Sequence, residues 1–223
     1  MSGQRLVDLS IPLFPGAVTF PGDPPVRIDG PYNALNGPIR EYCYTLRLPT
    51  QAGTHIQGPH YFRAEGRTID AFPLTRFAGE AWVIDVRGQR LVTPAALAPL
   101  ANAHLAGQVV LLHSGYMARL LAAPTPEALE RLVAAKPGLT LEAAHWLVER
   151  GLRFIGIDSV GLEPGGATDY SVNRYLCQEE VLILEGLINL EQLPGRGAWV
   201  EAFPLPIRGV EGTPCRAIAW LPG

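Results

Sequence analysis

Lysine is almost missing from this chain: of the 18 lysine and arginine residues among 223, only Lys136 is a lysine. That bias reads as the base composition of a GC-rich genome, not as chemistry. Cysteine is nearly as scarce. Cys43, Cys177 and Cys215 stand too far apart for a CxxC pair, which excludes zinc-ribbon and disulfide-framework proteins and fits a reducing cytoplasm. There are five histidines, His55, His60, His104, His113 and His145. No apolar run approaches the ~18–20 residues of a membrane span, and Met1 to Pro12 lacks the basic-then-apolar order of a secretory signal. A net charge of -3 leaves no basic footprint for nucleic acid. The expectation is a soluble cytoplasmic protein with no nucleic-acid or membrane partner.

What is abundant is apolar or turn-forming. Hydrophobic residues make up 48% of the chain against 17% charged, so it can bury a core and is not a disordered tail. The 24 glycines and 21 prolines are scattered without a repeat, which predicts many tight turns. The length fits one domain over residues 1–223.

Val7, Leu9 and Ile11 alternate with Asp8 and Ser10, the period of a strand. Pro15-Gly16 and Pro21-Gly22-Asp23-Pro24-Pro25 break the chain into turns. Tyr44, Leu46 and Leu48 predict a second strand, residues 81–84 a third, and residues 109–112 a short buried one. Thr125-Pro126-Glu127 predicts a helix start with a cap, a first-turn proline and an acid at the positive dipole end, and Pro137 must lie beyond its end. A second helix is expected from near Thr140 to Gly151. Residues 154–157 and 181–184 read as further buried strands. Strands outnumber helices and no linker divides the chain, which predicts an α/β or α+β domain with a mixed sheet. His113, Asp158 and Glu185 directly follow strands, where α/β sheets tend to place ligand sites.

Residues 51–62, Gln-Ala-Gly-Thr-His-Ile-Gln-Gly-Pro-His-Tyr-Phe, form the densest polar stretch. Glycine and proline flank both His55 and His60, so the spacing predicts a turning loop that presents its side chains. A structural loop with backbone-bonded histidines is the alternative. Glu185, set between apolar runs, is expected to be partly buried; it must then be paired, ligate a cation or titrate high. It reads either as an acid/base group beside His55 or His60, or as a carboxylate capping a loop amide. No Gly-x-Ser-x-Gly surrounds Ser114 or Ser159, and no dinucleotide or P-loop fingerprint is present. Asp158 reads as a structural acceptor, His104 and His145 as surface or helix-face residues, and Cys43 and Cys177 as small core residues.

The 51–62 segment resembles the signature of the cyclase family, which includes kynurenine formamidases and isatin hydrolases and usually reads His-x-Gly-Thr-His-x-Asp-x-Pro-x-His-Phe. Val7-Asp8-Leu9-Ser10, Pro21-Gly22-Asp23-Pro24-Pro25 and Gly156-Ile157-Asp158-Ser159 are similar to family segments in the same order. So are Glu185-Gly186-Leu187-Ile188-Asn189-Leu190, Ala202-Phe203-Pro204-Leu205 and Gly212-Thr213-Pro214-Cys215-Arg216-Ala217. The resemblance implies a swivelling β/β/α domain assembled as a homo-oligomer, a dimer or tetramer. It also implies chemistry at the carbonyl of a small amide, formamide, lactam or lactone, by hydrolysis or the reverse ring closure.

Family enzymes hold one or two divalent metals through three histidines and an aspartate in the signature, plus a later histidine and glutamate. Against that pattern, Gln51 stands at the first histidine, His55 is kept and Gln57 replaces the aspartate. Tyr61 replaces the third histidine while His60 sits one residue early, and Asn173 takes the later histidine's place. Amides offer a metal only a neutral carbonyl, and Tyr61 would have to ionise near pKa ~10. The candidate metal set is therefore His55, His60 and Glu185 on one zinc or manganese, with no cofactor as the alternative. These three are also the candidate catalytic residues; Gln51, Gln57, Tyr61, Asn173 and His113 are candidates for substrate binding. Three readings follow: a metal-dependent hydrolase; a metal-free cyclase, dehydratase or isomerase; and a non-catalytic homologue that binds a small molecule or a partner protein.

Overall fold

The computed structural model describes residues 5–17, 20–33 and 40–222. In chain order the strands are β1 (Leu6–Asp8), β2 (Arg27–Tyr32), β3 (Cys43–Arg47), β4 (His55–Gln57), β5 (Ala78–Asp85), β6 (Leu91–Val92), β7 (Gln108–His113), β8 (Gly138–Leu139), β9 (Phe154–Ile157), β10 (Leu182–Glu185), β11 (Arg196–Pro204) and β12 (Gly212–Trp220). The helices are α1 (Tyr116–Leu121), α2 (Pro126–Ala135), α3 (Leu141–Glu149) and α4 (Ser171–Gln178).

Eight strands form one mixed sheet in the order β1-β12-β11-β5-β7-β9-β10-β4. Its centre, β5, β7, β9 and β10, is parallel, and the remaining pairings are antiparallel. β4 also pairs with β12, so the sheet curls round and closes into a barrel with β4 as the seam. The first and last strands of the chain, β1 and β12, are hydrogen-bonded neighbours.

Strand side chains alternate between two faces, and here both faces are apolar, which makes two cores from one sheet. Val109, Leu111, Phe154, Leu182 and Leu184 point into the barrel with Ile56, Phe77 and Val200. Their neighbours Val110, Leu112, Ile155 and Ile183 point outward and are covered by Ala143 and Leu147 of α3 and Val172 and Leu176 of α4. A third cluster, Tyr116, Met117 and Leu120 of α1, packs with Ile11 and with Leu129, Leu132 and Val133 of α2.

The α/β fold with a mixed sheet matches the sequence expectation. Strand and helix expectations over residues 81–84, 109–112, 126–135, 141–149 and 154–157 are met, and the caps behave as written. Thr125 Oγ1 accepts from Ala128 N and Thr140 Oγ1 from Ala143 N, both at 3.2 Å. Three expectations change. The segment read as a loop contains β4, because β10 and β12 flank it and pair with it from both sides. β3 pairs only with β2, as a ribbon apart from the main sheet, so Cys43 is half-buried there and not a core residue. The strand read from Val7 to Ile11 is regular only over Leu6–Asp8, beyond which Ser10 makes an isolated bridge to Leu187. No helix among the described residues is long and apolar enough to cross a membrane.

Candidate active site

In β4, Ile56 enters the barrel core, so its neighbours His55 and Gln57 must project from the opposite face. β10 does the same: Leu184 fills the barrel and Glu185 projects outward. The antiparallel register sets Glu185 directly opposite His55. Two glycines let the strands meet so closely. A Cβ on Gly186 would lie 2.6 Å from the Gly53 carbonyl oxygen, and Gly186 has φ +72. Thr54 Oγ1 closes the approach by donating to the Gly186 carbonyl at 2.5 Å.

The protons of this pair can be counted. His55 Nδ1 lies 3.0 Å from the Gly53 carbonyl oxygen, which can only accept, so Nδ1 carries a hydrogen. His55 Nε2 then faces Glu185 Oε2 at 3.5 Å, with both side chains buried. Nε2 makes no hydrogen bond, but it stands close enough to the carboxylate for the two charges to act on each other. Burial alone would push the imidazole down, but the Glu185 carboxylate, with the Gly53 carbonyl and Glu211, reverses this and leaves the His55 pKa above its ordinary value. Gln57 Nε2 donates to Glu185 Oε1 at 3.2 Å, which turns the amide oxygen away and leaves it buried without a partner.

These groups form the floor of a cavity of about 570 Å³. Its walls are Phe20 and Asp23 of the N-terminal segment, Tyr61, Phe62 and Tyr170, residues of α2, and the loop from Val160 to Ala167. Gln51 lines it too and is held by Glu211, to which its Nε2 donates at 3.0 Å. Asn173, on α4, lines the opposite side; its backbone N–H donates to Glu163 Oε1 at 2.7 Å and its buried Oδ1 has no partner. Burial raises the Glu163 carboxyl, and Tyr61 is pushed up to about 12 by burial and by Glu185, so it stays a phenol. Burial also raises Asp23.

Lys136 is the unexpected member. It immediately follows α2, is only 5% exposed, and donates through Nζ to the carbonyls of Gly161, at 3.0 Å, and Glu163. Burial lowers its pKa to about 8, with Glu185 and Glu163 opposing the fall. Composition bias hid it. The signal in the sequence was the retention of one lysine in a chain otherwise using arginine.

Of the sequence candidates, the cavity gathers His55, Glu185, Gln51, Gln57, Tyr61 and Asn173. It does not gather His60 or His113. His60 lies in the 3₁₀ turn Pro59–Tyr61, which sends Tyr61 to the cavity, while the buried Nδ1 of His60 has no partner. His113 ends β7, paired with Asp85, and its Nε2 is 3.9 Å from Asp158 Oδ2. Asp158 itself accepts from the N–H groups of Ser114 and Gly115 and from Ser114 Oγ, a structural role as read. Cys177 and Cys215 are pushed up to about 12 by burial and are inert thiols.

The expected metal set of His55, His60 and Glu185 therefore does not assemble. Among the described residues no three His, Cys, Asp or Glu side chains converge to hold an ion, and the sequence outside them contains none of these types. Beside His55 and Glu185 stand neutral amides, one of which presents an N–H to the carboxylate, and the cavity's other carboxylates do not converge with the pair. An ammonium group occupies the same neighbourhood. This set does not fit a divalent ion.

A family model described as "Putative cyclase" matches residues 7–164. The chain is similar to the kynurenine formamidase of Salinibacter ruber, 28% identical over 216 residues, which is 96% of this chain and 97% of that protein. Its fold is similar to that of isatin hydrolase A from Ralstonia solanacearum, with a TM-score of 0.83, 25% identity, and coverage of 98% of this chain and 92% of that one. A structure described as a potential metal-dependent hydrolase with cyclase activity shares the fold at a TM-score of 0.79 and 21% identity, covering 99% of this chain and 100% of that one.

Proposed function

This chain belongs to the cyclase family, and within it we propose a hydrolase that opens the carbonyl–nitrogen bond of a small aromatic formamide, amide or lactam. One observation carries the reading. A buried histidine–carboxylate pair, with 3.5 Å between His55 Nε2 and Glu185 Oε2, forms the floor of a cavity that Gln57 and Asn173 also line. The Phe20, Phe62, Tyr61 and Tyr170 rings that line it suit a flat substrate. The formamidase and isatin hydrolase relatives support the same class of carbonyl.

His55 and Glu185 then act as one acid/base unit. As a water oxygen bonds to the carbonyl carbon, the pair takes one proton from it. As the carbon–nitrogen bond breaks, the pair returns one proton to the leaving nitrogen and is restored. No step runs through a metal ion, since the donor set does not fit one. The same proton path run backwards closes a ring, which is why cyclisation and hydrolysis share this machinery.

The reading includes a cytoplasmic setting, supported by three unpaired cysteines, and one domain over residues 1–223, supported by the β1–β12 pairing. It includes a homo-oligomer as well. The β2–β3 ribbon exposes Tyr44 and Leu46 beside Tyr42, which is 74% exposed. A lone two-stranded ribbon with exposed aromatics is stabilised when a second copy covers it. Turnover of isatin (a lactam) and formanilide (an aryl formamide) by purified protein tests the activity. The expected result is hydrolysis of at least one; no rate above the buffer blank with either would overturn the reading.

A further inference from the structure

We infer that Lys136 is the substrate-facing cation of this cavity, binding the oxyanion that forms at the attacked carbonyl and the carboxylate that hydrolysis leaves behind. The inference rests on the hydrolase reading for the first half and on the cavity alone for the second. Lys136 is the sole lysine of the chain, and no arginine lines the cavity, although arginine supplies every other basic side chain. Arginine is the usual basic residue of this chain, and this position departs from it. A guanidinium is a wide planar fork, whereas an ammonium is a compact point charge. Here it sits between the Gly161 and Glu163 carbonyls.

Its donors can be counted as well. An ammonium has three N–H groups, and the Gly161 and Glu163 carbonyls take one each. One remains, on a residue that lines the cavity and makes no direct ion pair. A substrate oxygen would complete the set. The point where a Cβ on Gly161 would stand lies 3.3 Å from Lys136 Nζ and 3.7 and 3.8 Å from the Glu185 oxygens. The cation and the acid/base pair thus look onto the same small volume, left open because residue 161 has no side chain. An oxygen held by Lys136 places its carbon within reach of a water activated by Glu185 and His55. Burial lowers the lysine but leaves it charged at neutral pH, and a buried cation that keeps its charge without a direct ion pair is set to receive a developing negative charge.

The probe is 2-aminobenzoate, which carries a carboxylate for Lys136 and a ring for the aromatic wall. Its neutral counterpart, 2-aminobenzamide, is the control. Protein dialysed against EDTA is titrated with each by calorimetry, as wild type and as K136M, with folding checked by circular dichroism. The expected result is that 2-aminobenzoate binds at least tenfold more weakly to K136M while 2-aminobenzamide changes less than threefold. With isatin as substrate, K136M should lower kcat by about 10²–10³-fold, the scale of losing one oxyanion donor. Because the chain has one lysine, wild-type protein labelled with [15Nζ]lysine gives a single ammonium signal, and that signal should move when 2-aminobenzoate is added. This second measurement carries the test if K136M does not fold. Equal binding of 2-aminobenzoate to wild type and K136M, or an unmoved ammonium signal at saturating probe, would overturn the inference. Lysine-dependent binding in a protein that hydrolyses neither isatin nor formanilide would overturn the hydrolase reading and uphold the anion-binding role of Lys136.

Discussion

Glu185 and His55 are direct cross-strand partners, in register across the β10–β4 ladder, with 3.5 Å between Oε2 and Nε2. Acting as one acid/base unit, neither works without the other. E185Q and H55N should each lower kcat on isatin or formanilide by about 10²–10³-fold, and the double variant should be little worse than the poorer single one. Steady-state kinetics on folded variants checks this. E185Q within fivefold of wild type would remove the pair from the mechanism.

A site whose cation is an ammonium group does not need a metal ion. Turnover should stay within about twofold after EDTA dialysis and after added zinc or manganese, and tag-free protein should carry less than about a tenth of an equivalent of either. Metal analysis by mass spectrometry decides the matter. A stoichiometric ion whose removal abolishes turnover would sink the metal-free mechanism.

Lys136 also leaves a mark on stability against pH. Its folded pKa is about 8, below the ordinary ~10.4 of an unfolded lysine. Between those values the unfolded chain binds more protons, so unfolding free energy contributed by Lys136 rises with pH across this window. The penalty of burying the charge is fully present below pH 8 and is relieved by about pH 10. Relative to K136M, wild type should gain up to ~3 kcal/mol between pH 7 and pH 10. Urea unfolding of both proteins at several pH values measures the difference; a flat difference would contradict the lowered lysine.

Gly161 serves two purposes at once. Its φ of +113 disfavours any side chain, and a Cβ would press 3.3 Å from Lys136 Nζ. G161A should cost about 1–3 kcal/mol of stability and weaken 2-aminobenzoate binding more than tenfold. G209A is the control, since Gly209 has φ +78 and open space around it. Thermal melts should show both variants destabilised, and calorimetry should show only G161A impaired in binding.

The β2–β3 ribbon gives a prediction about assembly. Replacing Tyr44 and Leu46, both exposed, by glutamate should convert an oligomer to a monomer without lowering the melting point of the barrel by more than a few degrees. Light scattering coupled to gel filtration reads the mass directly. An unchanged oligomer would place the interface elsewhere.

Much of the sheet was legible because its central strands are short apolar runs, as at residues 109–112 and 154–157, and because Thr125 and Thr140 announce their helices. β4 was not legible. The three residues His55–Gln57 are too few to carry a strand pattern of their own, and only β10 and β12, distant in sequence, make them one. Gln51, His55, Gln57, Tyr61, Asn173 and Glu185, all named from the resemblance, line one cavity. The resemblance could not separate His60 from Tyr61, since which of two adjacent residues faces inward depends on the 3₁₀ turn at Pro59–Tyr61. Lys136 was missed because a count says how rare a residue is and nothing about where the chain carries it.

β4 is gripped on both sides, and a slip of one residue would drive His55 and Gln57 into the barrel and expel Ile56. Its positions are therefore fixed like sockets, while what is plugged into them is free to change. A cavity built on such a grid can trade imidazole and carboxylate for amide, and a bound ion for an ammonium, without moving its backbone. New chemistry in this fold needs substitution, not rearrangement.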